Sequence, residues 1–471
     1  MRHLHKINPY IRINVLALVF LIFIISQMHA VFGQAAPTST TGNVYYVATT
    51  GSDSNPGTIT APFRTIQKAA DVVSSGDMVL VMPGTYNNPV TTNKHGTASA
   101  RIRFVSQQKW GAKIQTAGVP YIWTNKADYV NIEGFDISGD GKIGILNYAS
   151  HTQVLGNHVH HLGRADCGDW GTGDMGAAID TAGSGATSPR DATDNDIIGN
   201  LVHDHSYNCP RVSGISGAHG IYHGYGSGII SNNIVYRVMS YGFHLYHHPY
   251  NTDIVNNIAF NNRAAGFIVG SDGGVGSTVH DIYVANNIFY DNDWVGIAVY
   301  GLGSGSSNIR FNNNLLYGNS QGYGFNYGGS PDLVTISGDV LADPQFVNYQ
   351  PDGSGDYHLK PTSPAIDKGI AFTKISEDFD GVQRPVGSAY DIGAYEYGGT
   401  ATTQTTGNTY YISPTGSDSN PGTSASPWKT FAFTIPKLKA GDTLILKDGT
   451  YNAHGVFAGR RISPANHDAQ L

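Results

Sequence analysis

Positive charge is scarce in this 471-residue chain: 28 Lys and Arg stand against 35 Asp and Glu, and only 13% of residues are charged. No lysine occurs between Lys142 and Lys360, and no glutamate between Glu133 and Glu377. An acidic chain is a poor nucleic-acid binder, because phosphate contacts need basic surface. A strongly polyanionic glycan would likewise need cations or local Arg as compensation. Long apolar runs are missing as well. The run from Val15 to Ile25 falls short of the roughly 20 residues that a membrane span needs. Cysteine is limited to Cys167 and Cys209, which argues against a thiolate metal site.

What is abundant is glycine, at 59 residues, together with Asn and with 28 Tyr and 18 Phe. This composition suits short strands joined by tight turns, with ample aromatic surface for a core. At the N-terminus Arg2, Lys6 and Arg12 precede the apolar run, and small residues follow around Ala30, Gly33 and Ala35. That order reads as a secretory signal peptide over residues 1–35, so the chain is expected outside the cell or at its surface. Its removal would take the formal charge from −7 to about −10. No stable membrane span would remain after cleavage, and the chain is expected to be a monomer.

A phrase with an Asn pair recurs along the chain. It reads VNIEGFDIS from Val130, QVLGNHVHH from Gln153, NDIIGNLVH from Asn195, GIISNNIVY from Gly228, TDIVNNIAF from Thr252, DIYVANNIFY from Asp281 and NIRFNNNLLY from Asn308. The equivalent residues Asn157, Asn200, Asn233, Asn257, Asn287 and Asn314 are 43, 33, 24, 30 and 27 positions apart. A shortest period near 24, with insertions of varying length, describes the coils of a solenoid. Period-2 alternation flanks each Asn pair, and a further strand follows a Gly in each coil, at Gly220, Gly242, Gly266 and Gly296. Short strands without intervening helices predict an all-β, right-handed parallel β-helix over residues 42–397, with the Asn residues stacked as an amide ladder. Residues Thr65 to Val73 carry Ile66, Ala69, Ala70 and Val73 on one helical face, and predict an N-terminal cap.

The opening YYVATTGSDSNPGT…APFRTIQKAADVVSSGDMVLVMPGTY, the HGIYHG phrase from His219 and the Asn-Asn coils resemble right-handed β-helix proteins of the pectate-lyase-like superfamily. The stretch from Asp356 to Tyr397 resembles the closing region of bacterial surface β-helix proteins. The resemblance implies action on polysaccharide; the group spans lyases, hydrolases, epimerases and surface proteins. Many of its lyases use Lys or Arg as base beside Ca²⁺ held by acidic residues, and the lysine gap excludes a Lys base in the coil body. After a Thr-rich linker at residues 398–406, GNTYYISPTGSDSNPGT from Gly407 repeats GNVYYVATTGSDSNPGT from Gly42 at a constant offset of 365, so residues 407–471 read as an incomplete second β-helix.

Cys167 and Cys209 sit in insertions of adjacent coils and read as a disulfide, with two free thiols as the alternative. The sharpest chemical cluster joins His219 and Tyr222 to His244 and Tyr246. Aligning Gly220 with Gly242 puts Tyr222 beside His244, and with Ile221, Phe243 and Leu245 inward these side chains point out. An imidazole beside phenols suits proton abstraction or leaving-group protonation. His248, Asp272, Arg237 and Arg263 are candidate substrate-binding groups, and His223 is expected to face inward. The column His160, His203, Tyr236, Phe260, Tyr290 and Tyr317 reads as packing. Asp169, Asp174 and Asp180, in a loop rich in Asp, are candidate Ca²⁺ ligands, with solvated loop charge as the alternative. The function expected is a lyase or epimerase acting on uronate polymers. The alternatives are a glycoside hydrolase with paired Asp and a non-catalytic surface adhesion module.

Overall fold

The computed structural model describes residues 12–14, 42–168, 175–181, 192–210, 217–271, 278–302, 305–326, 329, 331–399, 409–438, 443–447 and 449–451. The chain divides into two units, residues 31–400 and a second made of residues 1–30 and 401–471. The larger unit is a right-handed parallel β-helix. Each coil has three faces. Val130–Glu133, Gln153–Leu155 and Asp196–Ile198 lie on the first, before the Asn. Asp136–Gly139, His158–Leu162, Leu201–His205 and Ile234–Val238 lie on the second, after it. Ile143–Asn147 and Ala177–Thr181 lie on the third. The long strands His219–Ser231 and Phe243–Val255 run from the third face into the first face of the next coil. They thereby merge those faces into one sheet of 18 strands, while the second face remains a separate sheet of nine.

Register follows the Asn pairs. Asn157 donates to Asn200, which donates to Asn233, and the chain of amides continues through Asn257, Asn287 and Asn314 at 2.9–3.1 Å. All six are fully buried. The ladder uses each amide as donor and acceptor, so no coil can slip without orphaning buried polar groups. A second ladder that the repeat phrase does not advertise joins Asn262, Asn292 and Asn319. Inside the third face, Thr92 donates to Asn125, which donates to Asn147, and Thr181 shares a hydrogen bond with His223. His223 is fully buried, as its alternation with Tyr222 requires.

The residue before each ladder Asn turns the chain with a positive φ: Gly156 and Gly199 at 61° and 68°, Asn232, Asn256, Asn286 and Asn313 at 52–56°. Both residue types tolerate this left-handed conformation. The choice between them follows what lies outside. Asn232, Asn256, Asn286 and Asn313 donate to the carbonyls of Glu377, Asp391, Ile370 and Lys368. The segment 331–399 thus runs back along the coils and is pinned by their turn residues. Its Tyr357, Leu359, Ile392 and Tyr395 pack on Tyr236, Ile258, Phe260 and Ile288 of the second face. Arg384 and Glu396 pair at 2.5 Å, wholly buried, beneath it.

The glycines that open the third-face strands have a steric cause. A Cβ on Gly220 would lie 2.3 Å from the Val235 side chain, and one on Gly266 2.7 Å from Phe289. The cap helix spans Ile66–Val72, with Thr65 accepting from the Lys68 N–H, and Ile66, Ala69, Ala70 and Val73 sit in the main core. In the smaller unit Thr409–Ile412 and Thr443–Leu446 pair in parallel. The sequence repeat is matched bond for bond: Asp418 accepts from Lys429 and Thr430 as Asp53 does from Arg64 and Thr65. The Tyr451 hydroxyl reaches Ile412 and Lys447 as Tyr86 reaches Val47 and Met82. The apolar run from Val15 to Ile25 and linker residues 400–406 lie outside the described residues. Among those described, no helix is long and apolar enough to cross a membrane.

Candidate functional site

The third face supplies the site. Parallel register sets Asp180 against Tyr222 and Tyr222 against His244, on three successive coils. Adjacent strands are about 4.8 Å apart, so the three side chains form one outward column. Ile179, Ile221 and Phe243, one position earlier, are wholly buried in the main core. Around His244 the rings converge. Its centroid lies 4.8 Å from Tyr222, 4.4 Å from His219, 5.0 Å from Tyr241 and 5.3 Å from Tyr246. His244 Nδ1 is 3.3 Å from His219 Nε2. His219 stacks on Tyr241, and His247 stacks on Tyr225. Across Gly270, which carries no side chain to intervene, Tyr246 approaches Tyr300.

The four residues read from sequence as catalytic are therefore one group. They are also tightly covered: His219, Tyr222 and His244 are each 8% exposed. Burial, reinforced by His219 and His247, holds the His244 imidazole well below its ordinary pKa, so it is neutral at neutral pH. A neutral imidazole ringed by phenols can accept a proton from carbon and leave hydrogen-bond donors facing a substrate oxygen.

Several assignments fall elsewhere. Asp180 belongs to the strand Ala177–Thr181 and to this column, not to an acidic loop. Asp169, Asp174 and Asp272 lie outside the described residues. Arg237 is on the second face, where its Nε donates to Asp204 at 2.6 Å, and Arg263 holds the carbonyls of Tyr207 and Cys209. Neither arginine joins the His244 group, because nearness in sequence does not specify which face of the coil a residue occupies. His248 is 2.6 Å from the Thr278 carbonyl through Nδ1 and sits by Tyr250 and His280. Of the neighbouring carboxylates, Asp166 pairs with Arg164, Asp194 with His151, and Asp196, on the strand Asp196–Ile198, is buried against Gln153. Among the described residues these do not converge on an oxygen-rich Ca²⁺ cage. Cys167 and Cys209 are disulfide-bonded.

The sequence reading missed a second group, on the second face of the coil, where His158, His160, His161 and His203 gather with Asp136 and Asp204. The packing column containing His160 and His203 is real: His203, Tyr236 and Phe260 stack at 4.6 and 4.8 Å.

Known proteins share this architecture. Residues 45–200 match the family of Pel9A-like right-handed β-helix regions. Two curated proteins align with part of this chain. The uncharacterized protein YwoF of Bacillus subtilis (strain 168) is 28% identical over 137 residues, 26% of this chain and 29% of that protein. Pectate lyase L of Dickeya dadantii (strain 3937) is 27% identical over 137 residues, 26% of this chain and 32% of that enzyme. The chain thus spans about a third of the length of either relative. Among solved structures, pectate lyase Pel9A superposes with a TM-score of 0.46 at 18% identity, covering 75% of this chain and 96% of that one. A rhamnogalacturonan lyase gives 0.48 at 17%, covering 68% and 96%. The stretch matched by the family ends at residue 200, before Tyr222 and His244, and of the column on the third face it includes Asp180.

Proposed function

We propose that the protein is an exported carbohydrate-active enzyme that removes the C5 proton of a uronate residue, as a lyase or an epimerase. One observation carries this reading: a buried, neutral His244 flanked by Tyr222, Tyr246 and His219 on the outward side of a pectate-lyase-like coil. His244 takes the proton. Tyr222 and Tyr246 hydroxyls donate to the uronate carboxylate, a role that Arg237 and Arg263, engaged elsewhere, do not fill. In the lyase outcome the C5–H electron pair forms the C4–C5 double bond, the C4–O4 bond breaks, and a phenol protonates O4. In the epimerase outcome a tyrosine phenol delivers a proton to the opposite face of C5 and recovers it from solvent, while His244 releases the proton it took. Asp180 lies across Tyr222 from His244 in the same register. The native disulfide suits an oxidising compartment outside the cytosol.

The test is incubation with a panel of uronate polymers, read both by ultraviolet-edge absorbance, which reports the new double bond, and by reducing ends. A lyase is expected to raise both, an epimerase to raise neither while exchanging the C5 hydrogen for solvent deuterium, and His244→Gln to abolish whichever signal the wild type gives. The acidic limb of kcat/KM should fall below the ordinary histidine pKa of about 6.5, since His244 resists protonation. Reducing ends without absorbance, or full turnover by His244→Gln, would overturn the assignment. The close cover over His219, Tyr222 and His244 favours a second reading, in which the rings bind glycan without turnover. Binding unchanged by His244→Gln but lost in Tyr246→Ala, with no product formed, would select it.

A further inference from the structure

The histidine group on the second face has an arrangement that packing alone does not require. Asp136, His158 and Leu201 are in register on three successive strands, as are Ser138, His160 and His203. His158 and His160 are two positions apart and so share the outward side, while Val159 and Val202 fill the core. Asp136 lies 3.2 Å from His158 Nδ1 through one oxygen and 3.2 Å from His160 Nε2 through the other. Asp204 Oδ2 lies 2.7 Å from His203 Nδ1, while its Oδ1 is held by Arg237. With both Nδ1 atoms turned to carboxylates, the Nε2 atoms of His158 and His203 face each other at 2.7 Å.

A neutral imidazole has one N–H. When that hydrogen is donated from Nδ1 to a carboxylate, Nε2 presents a lone pair. Here two such lone pairs would meet at 2.7 Å, a repulsive contact unless an electron-pair acceptor stands between them. A carboxylate behind each imidazole is the arrangement that orients histidine toward a metal and strengthens it as a donor. A ring nitrogen of His160 lies within 4.8 Å of those of His158 and His203 and completes a set of three; with its Nε2 turned to Asp136, its Nδ1 meets His161 Nδ1 at 2.7 Å, a second close nitrogen pair in the same group. Trp110 packs on His158 at 5.0 Å and Tyr236 stacks on His203 at 4.6 Å, which holds both rings in place.

We propose that His158, His160 and His203 bind a divalent transition-metal ion of the Zn²⁺ class, with Asp136 and Asp204 as the supporting carboxylates and water in the remaining position. Three imidazoles favour such a metal over Ca²⁺, which takes oxygen ligands. Metal–nitrogen distances near 2.0–2.1 Å require tetrahedral ligand atoms to stand about 3.3 Å apart, so the His158 and His203 rings separate by roughly 0.6 Å on binding. The ion would tie together strands from two successive coils, with Asp136 of a third behind them, and it lies on a different face from His244.

The experiment is calorimetric titration of the EDTA-stripped full chain with Zn²⁺, paired with visible absorption on Co²⁺ addition. One tight equivalent and a Co²⁺ spectrum with nitrogen ligands are expected. His203→Ala should remove both, and Asp136→Asn should weaken Zn²⁺ by about 10- to 100-fold. His280→Ala and His358→Ala, outside the group, should leave binding unchanged. Circular dichroism confirms that each variant is folded; if His203→Ala is not, the Asp136→Asn result decides. No saturable equivalent means that a shared proton bridges the rings, and overturns the proposal. Equal weakening by His280→Ala and His203→Ala, or an unaltered affinity in Asp136→Asn, marks adventitious surface binding and overturns it too.

Discussion

Replacing Asn257 with alanine removes the centre of the amide ladder. Its Oδ1 accepts from the Asn233 backbone N–H at 2.9 Å and from the Asn233 amide at 3.0 Å. Its own amide donates to Asn287 Oδ1, Ile230 O and Val255 O at 2.9–3.1 Å. The site is fully buried, so water cannot replace the lost partners. Two donors on Asn233 are left unmade, and Asn287 loses a donor. At about 1–3 kcal/mol for each buried group orphaned, with partial relaxation, the loss is about 3–5 kcal/mol. Because coils contact only their neighbours, the damage concentrates at this position rather than spreading along the solenoid. Urea unfolding followed by tryptophan fluorescence measures it, with Asn88→Ala, at an exposed bend, as a control expected within about 0.5 kcal/mol of wild type. A loss below about 1 kcal/mol, or one equal to the control, would show that the ladder is incidental to register.

Two further outcomes concern titration and the crosslink. Burial pushes the Glu377 carboxyl up to about 7, with Asp378 adding to it. A folded pKa above the unfolded value of about 4.3 means stability present below that value and lost as pH rises through 7, so Glu377→Gln should flatten the decline in melting temperature between those limits; an unchanged slope refutes it. Replacing Cys167 and Cys209 with Ser opens a crosslink spanning 42 positions and should cost about 4 kcal/mol in the chain-entropy picture, and equal melting temperatures for the two forms would contradict that.

Much of this fold was legible in the sequence because β-helix coils expose their register. An Asn pair with strand alternation on both sides marks a turn that must stack on its copies, and the Tyr222–His244 alignment followed from one glycine match. The harder features depend on which face a residue takes. Arg237 is close to His244 in sequence, yet the turn at Ser240–Gly242 puts them on different sheets. Asp180 looked like loop charge because Gly and Thr surround it, but its strand begins at Ala177. The His158–His203 contact joins residues that are not register partners, so matching equivalent positions could not reveal it. The exchange of Gly for Asn before the ladder residue has its cause in the docking of segment 331–399, which only the fold displays.

The central claim is that stacked coils bring Tyr222 and His244 side by side on the outward side of the third face. The double variant Tyr222→Cys with His244→Cys measures it directly, since partners about 4.8 Å apart are within disulfide reach. Mild oxidation should form the 222–244 crosslink, while Tyr222→Cys with Leu245→Cys, whose side chain points into the core, should not. A crosslink in the second pair and none in the first would mean that the strand is displaced by one residue, with His244 turned inward and the site gone.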